Sequence, residues 1–213
     1  MNYILTMGEL KTLAGLLGAQ HFFSLEEQET TLQREDVIQN VFRLHQRGFL
    51  TQTDNGFCCE PEIKRLIQVI VDADRAIVLR SPEEAYLCCY LAGDECTVVE
   101  MIAERPMEYK LYSQPLSELC LQLCPMEDLQ AMQEYEFDFS QLHFDVIPEE
   151  TNLRLQADIY SITEQCQIAR ALIVQTQLGK VQAFHADGEM SVNAYRVQEF
   201  YRWIVGQIGG KEL

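Results

Sequence analysis

The chain has 213 residues, 33 acidic against 16 basic, and a net charge of −17. Duplex nucleic acid repels a surface of that sign unless its basic residues are segregated into a patch, and the sequence shows no such patch. Apolar residues make up 47% and charged residues 23%, which fits a globular protein with a sizeable core, and no apolar run approaches the roughly 18–20 residues that span a bilayer.

Met1–Ile4 reads as a lead-in. Glu9 and Lys11 break up the apolar positions that follow, and no basic segment precedes them, so a signal peptide is not expected. Thr6 followed three residues later by Glu9 is a capping box, and it predicts a helix over Met7–Leu17 with Leu10, Leu13, Ala14 and Leu17 inward. Residues 21–31 read as a linker rich in Glu and Gln, with Phe22 and Phe23 plugging an edge of the domain.

The stretch from Leu32 to Val71 carries the strongest local signals. Val37, Ile38, Val41, Leu44 and His45 form an apolar stripe at helical spacing, and with Val37, Val41, Leu44 and His45 inward the outward face is Glu35, Asp36, Gln39, Asn40, Arg43, Gln46 and Arg47. Gly48 suits the left-handed end of that helix. Residues 49–53 and 57–59 read as two strands around an Asp54-Asn55-Gly56 turn, and Pro61 opens a helix with Ile63, Leu66, Ile67 and Ile70 on one side. The order helix, helix, hairpin, helix predicts a winged-helix-like part over residues 1–74. Such a part suggests DNA, but the reading helix would begin with two carboxylates and the wing Thr51–Phe57 holds no Lys or Arg.

Residues 75–213 predict a central antiparallel sheet with flanking helices, packed with the first part as one compact unit. Strands are expected at Arg75–Arg80, Ala85–Leu91, Cys96–Ala103 and Met107–Tyr112, with Gly93, Asp94 and Glu95 in a hairpin loop. A helix with Leu116, Leu119, Cys120 and Leu123 inward follows. From Pro125 to Thr151 eight carboxylates face no Lys or Arg, with aromatics threaded among them. That segment reads either as a solvated face or as an acidic docking surface, with Tyr135, Phe137 and Phe139 as its anchors.

Four more strands are expected at Asn152–Ile162, Gln167–Gln177, Val181–Ala186 and Glu189–Val192, then a helix over Tyr195–Ile208. Both stretches end in a short strand and a helix, a pattern that suggests a quasi-twofold repeat. Trp203 lies about 120° from the centre of the last helix's apolar stripe, and reads either as an interface anchor or as packing.

Nothing in the sequence assembles a catalytic or cofactor motif. The glycines form neither a dinucleotide fingerprint nor a phosphate loop, and no nucleophile elbow or zinc-protease motif occurs. His21, His45, His143 and His185 are scattered and read as structural. The eight cysteines lack the C-x-x-C spacing of a zinc site and read as small buried apolar residues in a reducing cytoplasm. No enzyme, cofactor or metal is expected.

The chain resembles the EspG-like chaperones of type VII (ESX) secretion systems. The likeness rests on Leu5-Thr6-x-x-Glu9-Leu10-x-x-Leu13-Ala14, on Leu44-x-x-Arg47-Gly48-Phe49-Leu50 with Asn55-Gly56, on Glu60-Pro61-Glu62-Ile63-x-x-Leu66-Ile67, and on the closing strands with Val192 and the Phe200-Tyr201 helix. It spans the chain as an order of elements. It implies an α+β fold with a central antiparallel sheet and quasi-twofold symmetry, and a cytoplasmic chaperone that holds a helical-hairpin secretion substrate. The acidic insertion leaves the family's partner-contact regions without counterparts here, so no binding residue is carried over. The competing reading is a winged-helix transcriptional regulator or a general protein-interaction module.

Overall fold

The computed structural model describes residues 2–19, 22–23, 32–54, 56–80, 86–93, 95–115, 118, 151–176 and 179–208. The fold is α+β, with nine strands in antiparallel sheet, a separate two-stranded hairpin and four helices among the described residues. The chain divides into two compact units, and the division does not follow the sequence. The first takes Met1–Asp74 and Leu87–Gln114, and the second takes Arg75–Tyr86 and Pro115–Leu213. Residues 87–114, placed by the sequence reading with the later sheet, thus belong with the N-terminal part.

In the first unit, β1 (Tyr3–Thr6) leads into α1 (Met7–Leu16), followed by α2 (Arg34–Gln46), the hairpin β2 (Leu50–Thr53) and β3 (Gly56–Cys59), and α3 (Pro61–Asp72). Then come β5 (Tyr86–Ala92), β6 (Glu95–Ile102) and β7 (Arg105–Ser113), in the order β1-β7-β6-β5. The capping box at α1 forms as expected, with Thr6 accepting from the Glu9 N–H and the Glu9 carboxylate accepting from the Thr6 N–H. Ile63, Leu66, Ile67 and Ile70 of α3 are all buried, and Glu60 caps that helix by accepting from the Ile63 N–H at 2.8 Å. Phe22 and Phe23 lie against Tyr90, whose hydroxyl donates to the Phe23 carbonyl at 2.7 Å.

Three expectations are corrected here. The lead-in is a strand: β1 pairs along β7 with Leu5 opposite Tyr109, and it buries Tyr3 and Leu5 while Ile4 faces out. Four residues are too few for an alternating pattern to register in sequence. The inward face of α2 is also turned. Asn40 is buried with Leu44, Val37 and Val41 are half-buried, and Ile38 and His45, both read onto the apolar stripe, are exposed. Asn40 donates to the Thr12 hydroxyl at 3.1 Å, and a Cβ on Gly8 would stand 3.0 Å from its amide nitrogen. Gly8 therefore lets the two helices approach closely enough to bury a polar side chain with its bond satisfied. Cysteine is the third correction. Cys59, Cys88, Cys89 and Cys96 are buried, but Cys58 and Cys166 are exposed.

The second unit contains β4 (Arg75–Arg80), β8 (Asn152–Ser161), β9 (Cys166–Thr176), β10 (Gly179–Ala186) and β11 (Glu189–Ala194) in that spatial order, then α4 (Val197–Gln207). Ala76–Leu79, Leu172–Val174 and Val181–Phe184 are continuous buried runs, which places those strands between covered faces. α4 has no side-chain cap of its own. The buried Gln182 of β10 supplies one, accepting from the Arg196 N–H at 3.4 Å and donating to Glu199 at 3.1 Å. Arg75 closes the other end by donating to the Gln207 carbonyl at 2.9 Å. The helix expected at Leu116–Leu123 lies outside the described residues but for Glu118.

Candidate functional site

α3 is amphipathic because its apolar residues recur every three to four positions, and burying them fixes which residues face out. Lys64, Arg65, Gln68 and Asp72 line the outward side, and Pro61 stands at its first turn. Next to that side comes the β5–β6 connection. Ala92 pairs with Glu95, so only Gly93 and Asp94 join the strands, and Gly93 takes the left-handed conformation with φ +59 that such tight turns require.

Between α3 and this connection runs a groove of about 430 Å³. Val69 and Ala92 form an apolar floor, and Lys64, Arg65, Asp72 and Glu95 stand around it. Arg65 is held by an ion pair to Glu62 at 2.9 Å. Their hydrogen bond lowers the Glu62 carboxyl below its usual range and raises Arg65 further, with Glu95 adding to the latter. Gln68 donates to both Asp72 oxygens at 2.9–3.0 Å. The rim is thus preorganised and carries both signs of charge.

Of the residues singled out from sequence, the structure brings Glu95 to the groove and sets Gly93 in the turn beside it. Asp94, Tyr135, Phe137 and Phe139 lie outside the described residues. Trp203 belongs to the second unit, half-buried, its ring stacked on Phe184 of β10 at 4.9 Å. Phe184 also stacks on Phe200 at 6.2 Å, so the indole extends an aromatic row. Sequence reasoning missed Lys64, Arg65 and Val69. Their signal was the polar flank of a strongly periodic helix, which reads as plain solvent exposure.

A second cleft of about 410 Å³ lies beside β1. The Glu9 carboxylate is almost fully buried there, and it accepts from Arg47 at 3.1–3.2 Å as well as from the Thr6 N–H at 2.9 Å. Arg47 also donates to the Ile4 carbonyl, and its guanidinium lies 4.5 Å from the Phe49 ring centroid. Arg105, on the same cleft, is paired with Glu108 at 3.1 Å. Two of the cleft's three arginines are therefore already matched within the protein.

No family model and no curated protein matches the chain. Among the described residues, no group of three His, Cys, Asp or Glu side chains could hold a metal ion, and no helix is long and apolar enough to cross a membrane.

Proposed function

We propose that the chain is a non-enzymatic cytoplasmic chaperone or adaptor. In this reading it holds a helical-hairpin client, as the resemblance to the EspG-like type VII secretion chaperones implies. The observation that carries it is the groove between α3 and the β5–β6 turn. An amphipathic helix presents apolar residues at i, i+3, i+4 and i+7 with charges beside them, and an apolar floor rimmed by both signs of charge is the matching surface. Lys64 and Arg65 give an acidic chain a local basic edge there, suited to a client with carboxylates flanking its apolar stripe.

The regulator reading is disfavoured by α2, the helix preceding the hairpin. Its first turn carries Glu35 and Asp36 beside Arg34, and its exposed face includes the apolar Ile38 and Phe42, which offer a base edge no hydrogen bond.

The test is co-expression with small proteins of helical-hairpin type, including any encoded beside the gene. Co-elution of one of them at fixed stoichiometry is expected, with Lys64→Glu/Arg65→Glu weakening capture about tenfold or more. Capture unaffected by the reversal would remove the groove from the interface. Tight binding of random duplex DNA at physiological ionic strength, with a steep salt slope, would move the function to the regulator.

A further inference from the structure

The groove belongs to the first unit, and the second unit carries a surface of another kind. β11 ends its sheet, and among the described residues β10 is its one neighbour there. Both faces of β11 are exposed except at the half-buried Val192. α4 does not shield it. That helix starts at Gln182 of β10 and ends at Arg75 of β4, so it runs away from the edge.

One bond fixes which way the backbone of β11 faces. The Tyr195 N–H donates to the Lys180 carbonyl at 3.0 Å, and in an antiparallel ladder alternate residues face the same neighbour. Asn193, Ser191 and Glu189 therefore turn their N–H and C=O groups to β10, while Met190, Val192 and Ala194 turn theirs outward. Among the described residues nothing takes these outward groups. The β10–β11 register runs without a bulge, and β11 holds neither Pro nor Lys, the usual means of closing such an edge. A straight row of alternating donors and acceptors fits one kind of occupant, another extended strand.

The side chains say which strand. A twofold axis at Val192 is the antiparallel register that pairs every outward residue, Val192 with Val192 of the second copy and Met190 with Ala194 of the second copy. A shift by one residue sets outward groups against inward ones, and a shift by two leaves an end unpaired. On the face of Met190, a long side chain lies beside a small one at each end of the seam. On the other face Ser191 stands opposite Asn193 of the second copy, so the bond that Asn193 now donates to Ser191 at 2.9 Å can form across the axis instead. Asp187 and Glu189 come beside Arg196 of the second copy. Arg196 is 63% exposed and holds Glu199 only loosely, at 3.7 Å. Backbone, size and charge all match in a single register, which selects a second copy over an unrelated strand.

We propose that β11 is a self-association edge, on which two copies of the chain pair β11 against β11 antiparallel about Val192 and continue one sheet into the next. This edge is separate from the groove, so the two assignments stand or fall independently.

Sedimentation velocity on the whole chain tests it. The 24.6 kDa species should double in mass between about 1 and about 100 µM, the range suited to so short a seam. Over the same range the Met190, Val192 and Ala194 amides should exchange with solvent at least about tenfold more slowly. Val192→Pro deletes an N–H that β10 does not use, so the chain should stay folded yet need at least about tenfold higher concentration to dimerise. Met107→Glu, at a 71% exposed residue of β7, should dimerise like the parent chain.

The register has its own readout at exposed side chains, which serves even where the proline variant fails to fold. Chains carrying Ser191→Glu/Asn193→Glu and Ser191→Lys/Asn193→Lys should each be monomeric and should heterodimerise when mixed. A parent chain monomeric across the range, or a dimer that both charged variants leave unchanged, overturns the proposal. So does a monomeric parent whose co-purified client is released by the charged variants, which would give the edge to the client.

Discussion

Among the described residues, each unit buries one carboxylate and answers it with one arginine, but they do so by different means. In the second unit Asp158 and Arg170 are register partners on the neighbouring strands β8 and β9. Asp158 is wholly buried and also accepts from Gln156 at 2.6 Å. In the first unit Glu9 and Arg47 stand 38 residues apart, and they meet because α1 and α2 pack closely at Gly8. One pair is a rung of a ladder whose strands would adjoin without it. The other is a tie between elements that share no backbone pairing. A buried pair contributes little net stability over an apolar replacement, whereas removing a single member is costly. The two sites should therefore differ in what a substitution leaves behind.

The largest effect is expected at Asp158. Asp158→Ala leaves Arg170 and Gln156 facing a cavity without their acceptor, and should cost about 3–5 kcal/mol in urea unfolding. Replacing both Asp158 and Arg170 with apolar residues of similar volume should recover most of that loss. Failure to recover it would mean that the pair holds strand register as well as charge. Glu9→Ala should come next, at about 2–3 kcal/mol, since it removes charge-assisted bonds to Arg47 and to the Thr6 N–H. A double-mutant cycle with Arg47→Ala should show coupling above about 0.5 kcal/mol, and additivity would dissolve the tie. Trp203→Ala should cost about 1–2 kcal/mol, less than a fully buried ring, because its stack on Phe184 covers only part of it. An unchanged thermal midpoint would free the indole for docking.

The smallest effect belongs to alkaline pH. Burial, then the Glu100 carboxylate, raise the Tyr112 phenol above its usual value, and its hydroxyl donates to Glu100 at 3.1 Å. In the unfolded chain the phenol ionises near about 10 while the folded one holds its proton, so the unfolded state binds fewer protons above that pH. The contribution is complete below the unfolded value and is lost as pH climbs above it. Tyr112→Phe should flatten the alkaline fall in stability, and its difference spectrum at the phenolate band should lack one late-titrating group.

The sequence announced whatever depends on neighbours a few residues away. The Thr6–Glu9 box, the buried stripe of α3 and the short turn at Gly93 are all local, and all formed where the spacing put them. β1 was illegible because its partner β7 lies about a hundred residues further on. Asn40 looked like a solvent residue because the missing side chain of Gly8, on another helix, makes room for it. The site divides in the same way. Glu95 was visible as part of a turn, but the groove was not, since the outward flank of α3 becomes a wall only once β5 and β6 stand beside it. Trp203 was recognisably off its helix's stripe, yet its platform Phe184 sits on a strand that spacing within α4 cannot reach.

β1 is the outermost strand of the first unit, and outermost strands present backbone groups that a stranger's strand can zip onto. Here two of those groups are occupied: Arg47 covers the Ile4 carbonyl and the Glu9 carboxylate takes the Thr6 N–H. The Glu9–Arg47 tie is therefore also a gatekeeper against templated β-aggregation. A chain lacking Arg47 could fold and still seed fibrils, a defect that would show in weeks of storage or in a crowded cell rather than in a melting curve.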